Sequence, residues 1–254
     1  MSHSDPKRAA GAVLAIDAGN TRIKWGLHAD ATWDLLPAIA TAEAGELRER
    51  ARALPTPFRI VASNVAGAAV REVLEQVARD RAAGLTIIGS RAAQLGVSNG
   101  YDHPGQLGTD RWAALVAAHH SEPGHKIVVN AGTALTIDAL QADGRFRGGL
   151  IVPGPAMMRR SLDRGTAGLR LTEGAYAAFP RSTPDAITTG ALQAAIGAIT
   201  RMGEAMSSDG AAPGCIVLSG GAAPELVPHL PLPVRIRENL VLDGLYLIAR
   251  DPTA

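Results

Sequence analysis

The sequence predicts an α/β protein built from two similar lobes, and three observations carry that expectation. The chain has 254 residues, 46% of them hydrophobic, enough for one large packed core or two modest ones. Strand-like and helix-like stretches alternate in its first half, the pattern of an α/β layer structure. The layout Ala15-Ile16-Asp17-Ala18-Gly19-Asn20-Thr21 also recurs 113 positions later as Val128-Val129-Asn130-Ala131-Gly132-Thr133-Ala134. Each copy has two apolar residues, a polar one, Ala-Gly, and then small or hydroxylated positions. A second strand-like stretch and an Ala-Asp pair follow each, at Ala29-Asp30 and Ala142-Asp143. Repetition at this length implies duplicated lobes. They are assigned to residues 1–120 and 121–254, the first ending near His119-His120 before the second repeat opens at Lys126.

In chain order, Met1 to Ala10 reads as a polar tail. Leu14 to Lys24 is an apolar strand, an acidic glycine turn and a returning strand. Gly19-Asn20 suits a tight hairpin turn with positive φ, and a glycine lets a phosphate approach backbone N–H groups closely. Asn20 and Thr21 add side-chain donors. Asp17, at the strand's mouth, is placed for magnesium, which is usually held by one or two carboxylates plus substrate phosphates. A plain surface hairpin uses the same residues. Two lobes that each offer such a turn can grip one polyphosphate from both sides. Ala42 to Leu54 then reads as a helix closed by Pro55 and Pro57, and Phe58 to Val65 as a buried strand ending in Ser63-Asn64. Ala68 to Arg81 is an amphipathic helix with Val70, Val73, Leu74 and Val77 on one face, and Leu85 to Ile88 another strand.

Gly100 to Trp112 resembles a binding loop feeding a helix over Trp112 to Ala118. Thr109 or Asp110 can cap that helix, where a carboxylate also favours the helix dipole. Asp110 equally suits a general base, since phosphoryl transfer to an alcohol needs a carboxylate in reach of the acceptor hydroxyl. Lys126 to Asn130, Leu135 to Leu140 and Arg145 to Val152 read as a three-stranded meander turning at Asp143-Gly144. Pro153-Gly154-Pro155 ends it. Ala156 to Leu162 follows as a helix whose Arg159 and Arg160 either meet phosphate or face solvent. Leu169 to Pro184 is loop-like, and Thr183 either contacts a substrate or caps the helix Ala186 to Met206. Ile216 to Leu218 is a strand delivered into Gly220-Gly221, which leaves room for a flat ligand such as adenine or makes an ordinary strand-to-helix turn.

With 25 basic and 24 acidic residues, the chain has no surplus for a broad basic face, so nucleic acid is not an expected partner. Cys215, the one cysteine, cannot form an intramolecular disulfide and suits a reducing compartment. Lys7-Arg8 with the apolar run to Ile16 imitates a secretory signal, but Asp17 interrupts it and the run is needed as a core strand. No stretch reaches the roughly 20 apolar residues that span a bilayer. A cytoplasmic protein without membrane attachment is expected.

Taken together, several motifs resemble one family. They are Asp17-Ala18-Gly19-Asn20-Thr21, Gly132-Thr133-Ala134 with Thr136 and Asp138, the loop Tyr-x-x-Pro-x-x-Leu-Gly-Thr-Asp-Arg from Tyr101 to Arg111, and Ser219-Gly220-Gly221. In this order, from Leu14 to about Gly221, they resemble type III pantothenate kinase. The resemblance implies the actin, heat-shock-protein and sugar-kinase-like ATPase superfold, two ribonuclease H-like lobes that close on ATP. It implies transfer of the ATP γ-phosphate to the terminal hydroxyl of pantothenate, the entry step of coenzyme A synthesis. Asp110 is then the catalytic base. Tyr101, Gly108, Thr109, Arg111 and Thr183 fall on the pantothenate side, and Asp17, Gly19, Asn20, Thr21, Lys24, Gly132 and Thr133 on the ATP side. Magnesium, with Asp17 as a ligand, and a homodimer are also implied.

One position departs from the family, which usually has Asp where this chain has Asn130, an Asp that helps hold an activating potassium or ammonium ion. Asparagine keeps a carbonyl oxygen but loses the charge, so activation by a monovalent cation is expected to be altered or absent. Two other functions remain open. The Bvg accessory factors, linked to transcription, resemble the same family, and a kinase of this superfold can act on another small alcohol. The absence of a helix-turn-helix signal weakens direct DNA binding, and Asp17, Asp110 and Arg111 favour an enzyme.

Overall fold

The computed structural model describes residues 11–55, 58–165 and 173–251. The tail expected over Met1 to Ala10, the helix-closing Pro57 and the loop from Leu169 up to residue 172 lie outside the described residues.

The chain opens with an antiparallel meander of β1 (Val13–Ala18), β2 (Arg22–Ala29) and β3 (Thr32–Ala40). Pro37 obscures β3 in the sequence, and the structure puts this strand at a sheet edge, where the missing N–H costs no ladder bond. The helix expected over Ala42 to Leu54 is shorter. A 3₁₀ turn at Thr41–Glu43 precedes α1 (Glu46–Ala51), which buries only Leu47 and Ala51. So short an apolar stripe supports little helix, since packing of that stripe supplies most helical stability. Next come β4 (Arg59–Asn64), α2 (Ala68–Asp80) and β5 (Leu85–Ile87) as expected, α2 burying Val70, Leu74 and Val77. Two short strands, β6 (Ala93–Gln94) and β7 (Val97–Asn99), and a 3₁₀ turn at Pro104–Gln106 lead to α3 (Thr109–Ser121). That helix begins three residues before Trp112, because the Gly108 carbonyl already accepts the Trp112 N–H at 3.0 Å.

The second meander is β8 (Lys126–Ala131), β9 (Ala134–Leu140) and β10 (Arg145–Pro153), followed by α4 (Pro155–Gly165). The long α5 (Thr183–Ser208) is capped by Ser182, whose hydroxyl accepts the Asp185 N–H at 3.3 Å. The capping alternative for Thr183 therefore passes to its neighbour. After β11 (Cys215–Ser219), α6 (Ala223–Leu226) and β12 (Val234–Ile236), the described chain closes with α7 (Leu240–Arg250).

The described residues form two compact units. The first comprises 11–95, 101–117 and 240–251, and its sheet runs β3-β2-β1-β4-β5. Leu14, Ile16, Ile23, Trp25, Leu47, Ile60, Leu74 and Val77 fill its core. Helix α7 returns to this unit. The Trp33 indole donates to Asp243 Oδ1 at 2.8 Å, His28 stacks on Tyr246 with ring centroids 3.7 Å apart, and Gly244 has no room for a Cβ against the Ala113 backbone. The second unit comprises 96–100 and 118–239, with strand order β12-β11-β8-β9-β10-β7. Its core joins Ile127, Val129, Ile137, Ile216 and Leu218 of the sheet to Leu192, Ile196 and Ile199 of α5. In both units the strand before the glycine turn lies between its antiparallel successor and a later parallel strand.

Candidate active site

In the first unit the site grows from the end of β1. The register places Asp17 opposite Lys24 of β2 and opposite Ser63 of β4. Asp17 Oδ1 is buried without a hydrogen-bond partner. Burial raises the carboxyl's pKa from 3.8 to about 7, the neighbouring Asp110 carboxylate adds to the rise, and Lys24 opposes it. A buried, unpartnered carboxylate oxygen is what a cation ligand looks like before the cation arrives. Among the described residues no three His, Cys, Asp or Glu side chains gather as a metal cage. That donor set fits an ion held jointly by one or two carboxylates and by phosphates.

The turn after β1 leaves Gly19 to Arg22 between the paired residues Ala18 and Ile23. Gly19 donates its N–H to the Arg22 carbonyl at 3.1 Å, and its own carbonyl accepts the Thr41 hydroxyl at 2.7 Å. The expected positive φ is absent at Gly19. What favours glycine there is space, because a Cβ would lie 3.1 Å from the Arg22 carbonyl oxygen. That N–H is therefore engaged within the turn, and Asn20 and Thr21, which follow, are exposed.

The loop over Tyr101 to Arg111 belongs to the same unit, and its end supplies the second carboxylate. Thr109 opens α3, and its hydroxyl lies 2.8 Å from the Ser63 hydroxyl. Asp110 Oδ1 accepts the Arg111 N–H at 2.9 Å, so the carboxylate does serve the first turn of the helix. It also accounts for Gly108, whose Cβ would stand 2.6 Å from that same oxygen. Arg111 is only 5% exposed, donates to the Tyr101 hydroxyl at 2.8 Å, and holds its guanidinium 5.6 Å from the Tyr101 ring centroid. Asp17, Lys24, Gly108, Thr109 and Asp110 thus collect around one strand end, and Tyr101 joins Arg111. Two contributors escaped the sequence reading. Ser63 ends the apolar run of β4 as Asp17 ends that of β1, a weak signal, and Thr41 carried none.

The second unit repeats the geometry with other residues. Asn130 lies opposite Thr136 of β9 and Ser219 of β11. Gly132 donates its N–H to the Ala134 carbonyl at 3.0 Å, also without positive φ. The Thr133 carbonyl accepts the Gly154 N–H at 2.9 Å, and a Cβ on Gly154 would collide with the Gly132 carbonyl. Gly220 has φ +101° and no space for a Cβ against the Ala131 backbone, whereas Gly221 stands open. Arg159 pairs with Glu225 at 2.9 Å, and Arg160 is exposed. Thr183 is exposed at the first residue of α5, away from the β8 turn in sequence and element.

A sequence model of type III pantothenate kinase matches residues 13–205. The chain belongs to the type III pantothenate kinase family. Members of that family from Nitrosospira multiformis and Aromatoleum aromaticum are each 44% identical to it, over 94% of this chain and 91% of the first relative, and 95% and 99% for the second. Among solved structures, it is similar to a 2-dehydro-3-deoxygalactonokinase from Sinorhizobium meliloti described as putative, with TM-score 0.61 and 16% identity over 94% of this chain and 98% of that one. It is also similar to the ADP-bound MreB5 of Spiroplasma citri, with TM-score 0.51 and 12% identity over 94% and 96%. These likenesses identify the actin-like ATPase and sugar-kinase fold for this pantothenate kinase family member. The family match covers both glycine turns and the whole Tyr101 to Arg111 loop.

Proposed function

We propose that this chain phosphorylates pantothenate to 4'-phosphopantothenate at the expense of ATP, the first step of coenzyme A biosynthesis. The observation that carries the reading is the approach of two carboxylates, the half-buried Asp17, whose Oδ1 is shielded from solvent, and Asp110 of the first turn of α3, in a chain whose relatives bear the pantothenate kinase name. Phosphoryl transfer asks mainly for positioning and for neutralisation of phosphate charge. The regulator reading is not favoured by those relatives, and nothing in them favours a different alcohol.

In this reading Asp110 takes the proton of the pantothenate hydroxyl as the phosphoryl group arrives. Arg111, desolvated and set over the Tyr101 ring, meets the pantothenate carboxylate, the kind of planar anion a guanidinium binds well. Gly108, Thr109 and Thr183 complete that side. Asn20, Thr21, Lys24 and Thr133 donate to the ATP phosphates, with Gly19 and Gly132 keeping side chains out of the way. Asp17 would hold magnesium, which when bound supplies positive charge against those phosphates. Asn130, being neutral, gives no charged ligand for potassium or ammonium, so rates in sodium, potassium and ammonium buffers should agree closely. A strong potassium requirement would contradict that.

A homodimer is part of the proposal, supported by exposed apolar side chains on the second unit, Leu150 and Ile151 of β10 and Met157 and Leu162 of α4. Light scattering on the purified protein tests it. A cytoplasmic location is likewise proposed; among the described residues no helix is long and apolar enough to cross a membrane. The function itself is tested by coupled detection of ADP with purified protein, ATP and pantothenate. Pantothenate-dependent ADP release is expected, and silence with pantothenate beside turnover of another alcohol overturns the assignment.

A further inference from the structure

Ser63 stands out because its hydroxyl is out of character with its surroundings. It follows Ile60, Val61 and Ala62 in β4, is 0% exposed, and belongs to a strand that packs into the first unit's core. Burying a hydroxyl without a partner costs on the order of 1–3 kcal/mol, so a buried serine in an apolar strand points to the group it bonds. That group is the Thr109 hydroxyl, 2.8 Å away at the first residue of α3. Ser63 is also the register partner of Asp17. One residue therefore touches the helix turn that carries Asp110 and sits in the ladder beside Asp17. The second unit supplies an internal comparison. Ser219 holds the equivalent place beside Asn130, and its hydroxyl donates to the backbone carbonyl of Glu238 at 3.3 Å. That bond ties β11 to the turn between β12 and α7. The bond of Ser63 ties strand to helix at the residue before a carboxylate.

We infer that Ser63 is a positioning residue: by holding the Thr109 hydroxyl, it fixes the first turn of α3 on β4 and with it the placement of Asp110 relative to Asp17. The inference deepens the kinase reading and rests on it for its catalytic consequence, but the mechanical coupling can be measured separately. Misplacing a reacting group by even about an ångström is enough to slow a reaction severely.

The test uses the purified full chain with Ser63→Ala, Thr109→Ser, Thr109→Val and the double variant Ser63→Ala/Thr109→Val. Amide hydrogen exchange over Asp110 to Ala113 should quicken roughly tenfold in Ser63→Ala and in Thr109→Val, and stay near wild type in Thr109→Ser, which keeps the hydroxyl. In the coupled assay Ser63→Ala should lose about tenfold in kcat with KM for ATP unchanged, and the double variant should be no slower than Thr109→Val alone. Unchanged exchange in Ser63→Ala overturns the inference, as does a double variant in which the two losses multiply. Should the wild-type chain fail to use pantothenate, the functional reading falls, and the exchange result alone decides the coupling.

Discussion

Asp17 in β1 and Asn130 in β8 hold the same place in two copies of one motif. Each is the next-to-last residue of the strand before its glycine turn, each lies opposite a residue of the returning strand, Lys24 or Thr136, and each lies opposite a serine on the parallel strand, Ser63 or Ser219. The backbone plan is repeated; the charge is not. The first copy has a carboxylate facing an ammonium, the second an amide facing a hydroxyl. A duplicated scaffold can thus keep its hydrogen-bond ladder while its two strand ends diverge, because ladder bonds use the backbone and leave the side chains free to specialise. The charged copy is the one that also receives a second carboxylate from α3, and it is there that the chemistry is proposed to reside.

The sharpest break of this comparison is to make the first copy neutral like the second. Asp17→Asn should strongly reduce magnesium-dependent activity while stabilising the ligand-free protein. The sign follows from the raised pKa of about 7. Below about pH 4 the carboxyl is protonated in folded and unfolded chains alike, and it adds no penalty. As pH rises toward 7 the unfolded chain gives up the proton and the folded one keeps it, so wild-type stability falls. Above pH 7 the loss is complete, up to about 4 kcal/mol at 1.36 kcal/mol per pKa unit. Thermal melts from pH 4 to 8 should show the variant's advantage opening with pH; a gap independent of pH would refute the account. Next in size, Asp110→Asn should lower turnover by about 10²-fold or more with the fold intact, the usual scale for losing a general base. Near-normal turnover would leave Asp110 only its bond to the Arg111 N–H.

The opposite exchange charges the second copy. Asn130→Asp should introduce a preference for potassium or ammonium over sodium in initial rates, and rates that remain indifferent to the cation would show that the carboxylate alone does not make such a site. The smallest effect separates the turns themselves. Gly19→Ala brings a Cβ to 3.1 Å from a carbonyl oxygen, while Gly132→Ala meets one at 3.5 Å, ordinary contact. The first should lower the unfolding midpoint by the equivalent of about 1 kcal/mol and the second hardly at all. Equal losses would mean the turns are less different than their geometry.

Much of the scaffold was legible in the chain. The apolar runs of β1, β4 and β8, the helical spacing of Val70, Leu74 and Val77, and the Asp143-Gly144 turn all rest on short-range patterning, which sequence records directly. Tyr101 to Arg111 could be singled out because polar and glycine residues lead straight into a helix. The alignment of the copies was less secure. A constant offset of 113 pairs Lys24 with Ile137, yet the second turn has three residues between Ala131 and Leu135 where the first has four between Ala18 and Ile23, so Thr136 is the true counterpart. A one-residue change in a turn reverses the face of everything after it until it is made up, and only the register reveals it.

Residue order by itself determined that two glycine turns follow apolar strands, that an acidic residue lies near the end of the first, and that a helix follows the Thr109-Asp110 pair, since each depends on neighbours within a few positions. Tertiary structure decided that Ser63 would meet Thr109, that the Asp17 carboxyl would be shielded near Asp110 with its pKa raised, and that α7 would return to β2 and β3. Those outcomes join residues tens to hundreds of positions apart. The energies involved, desolvation and contact between side chains, exist only once the chain has folded to bring them together.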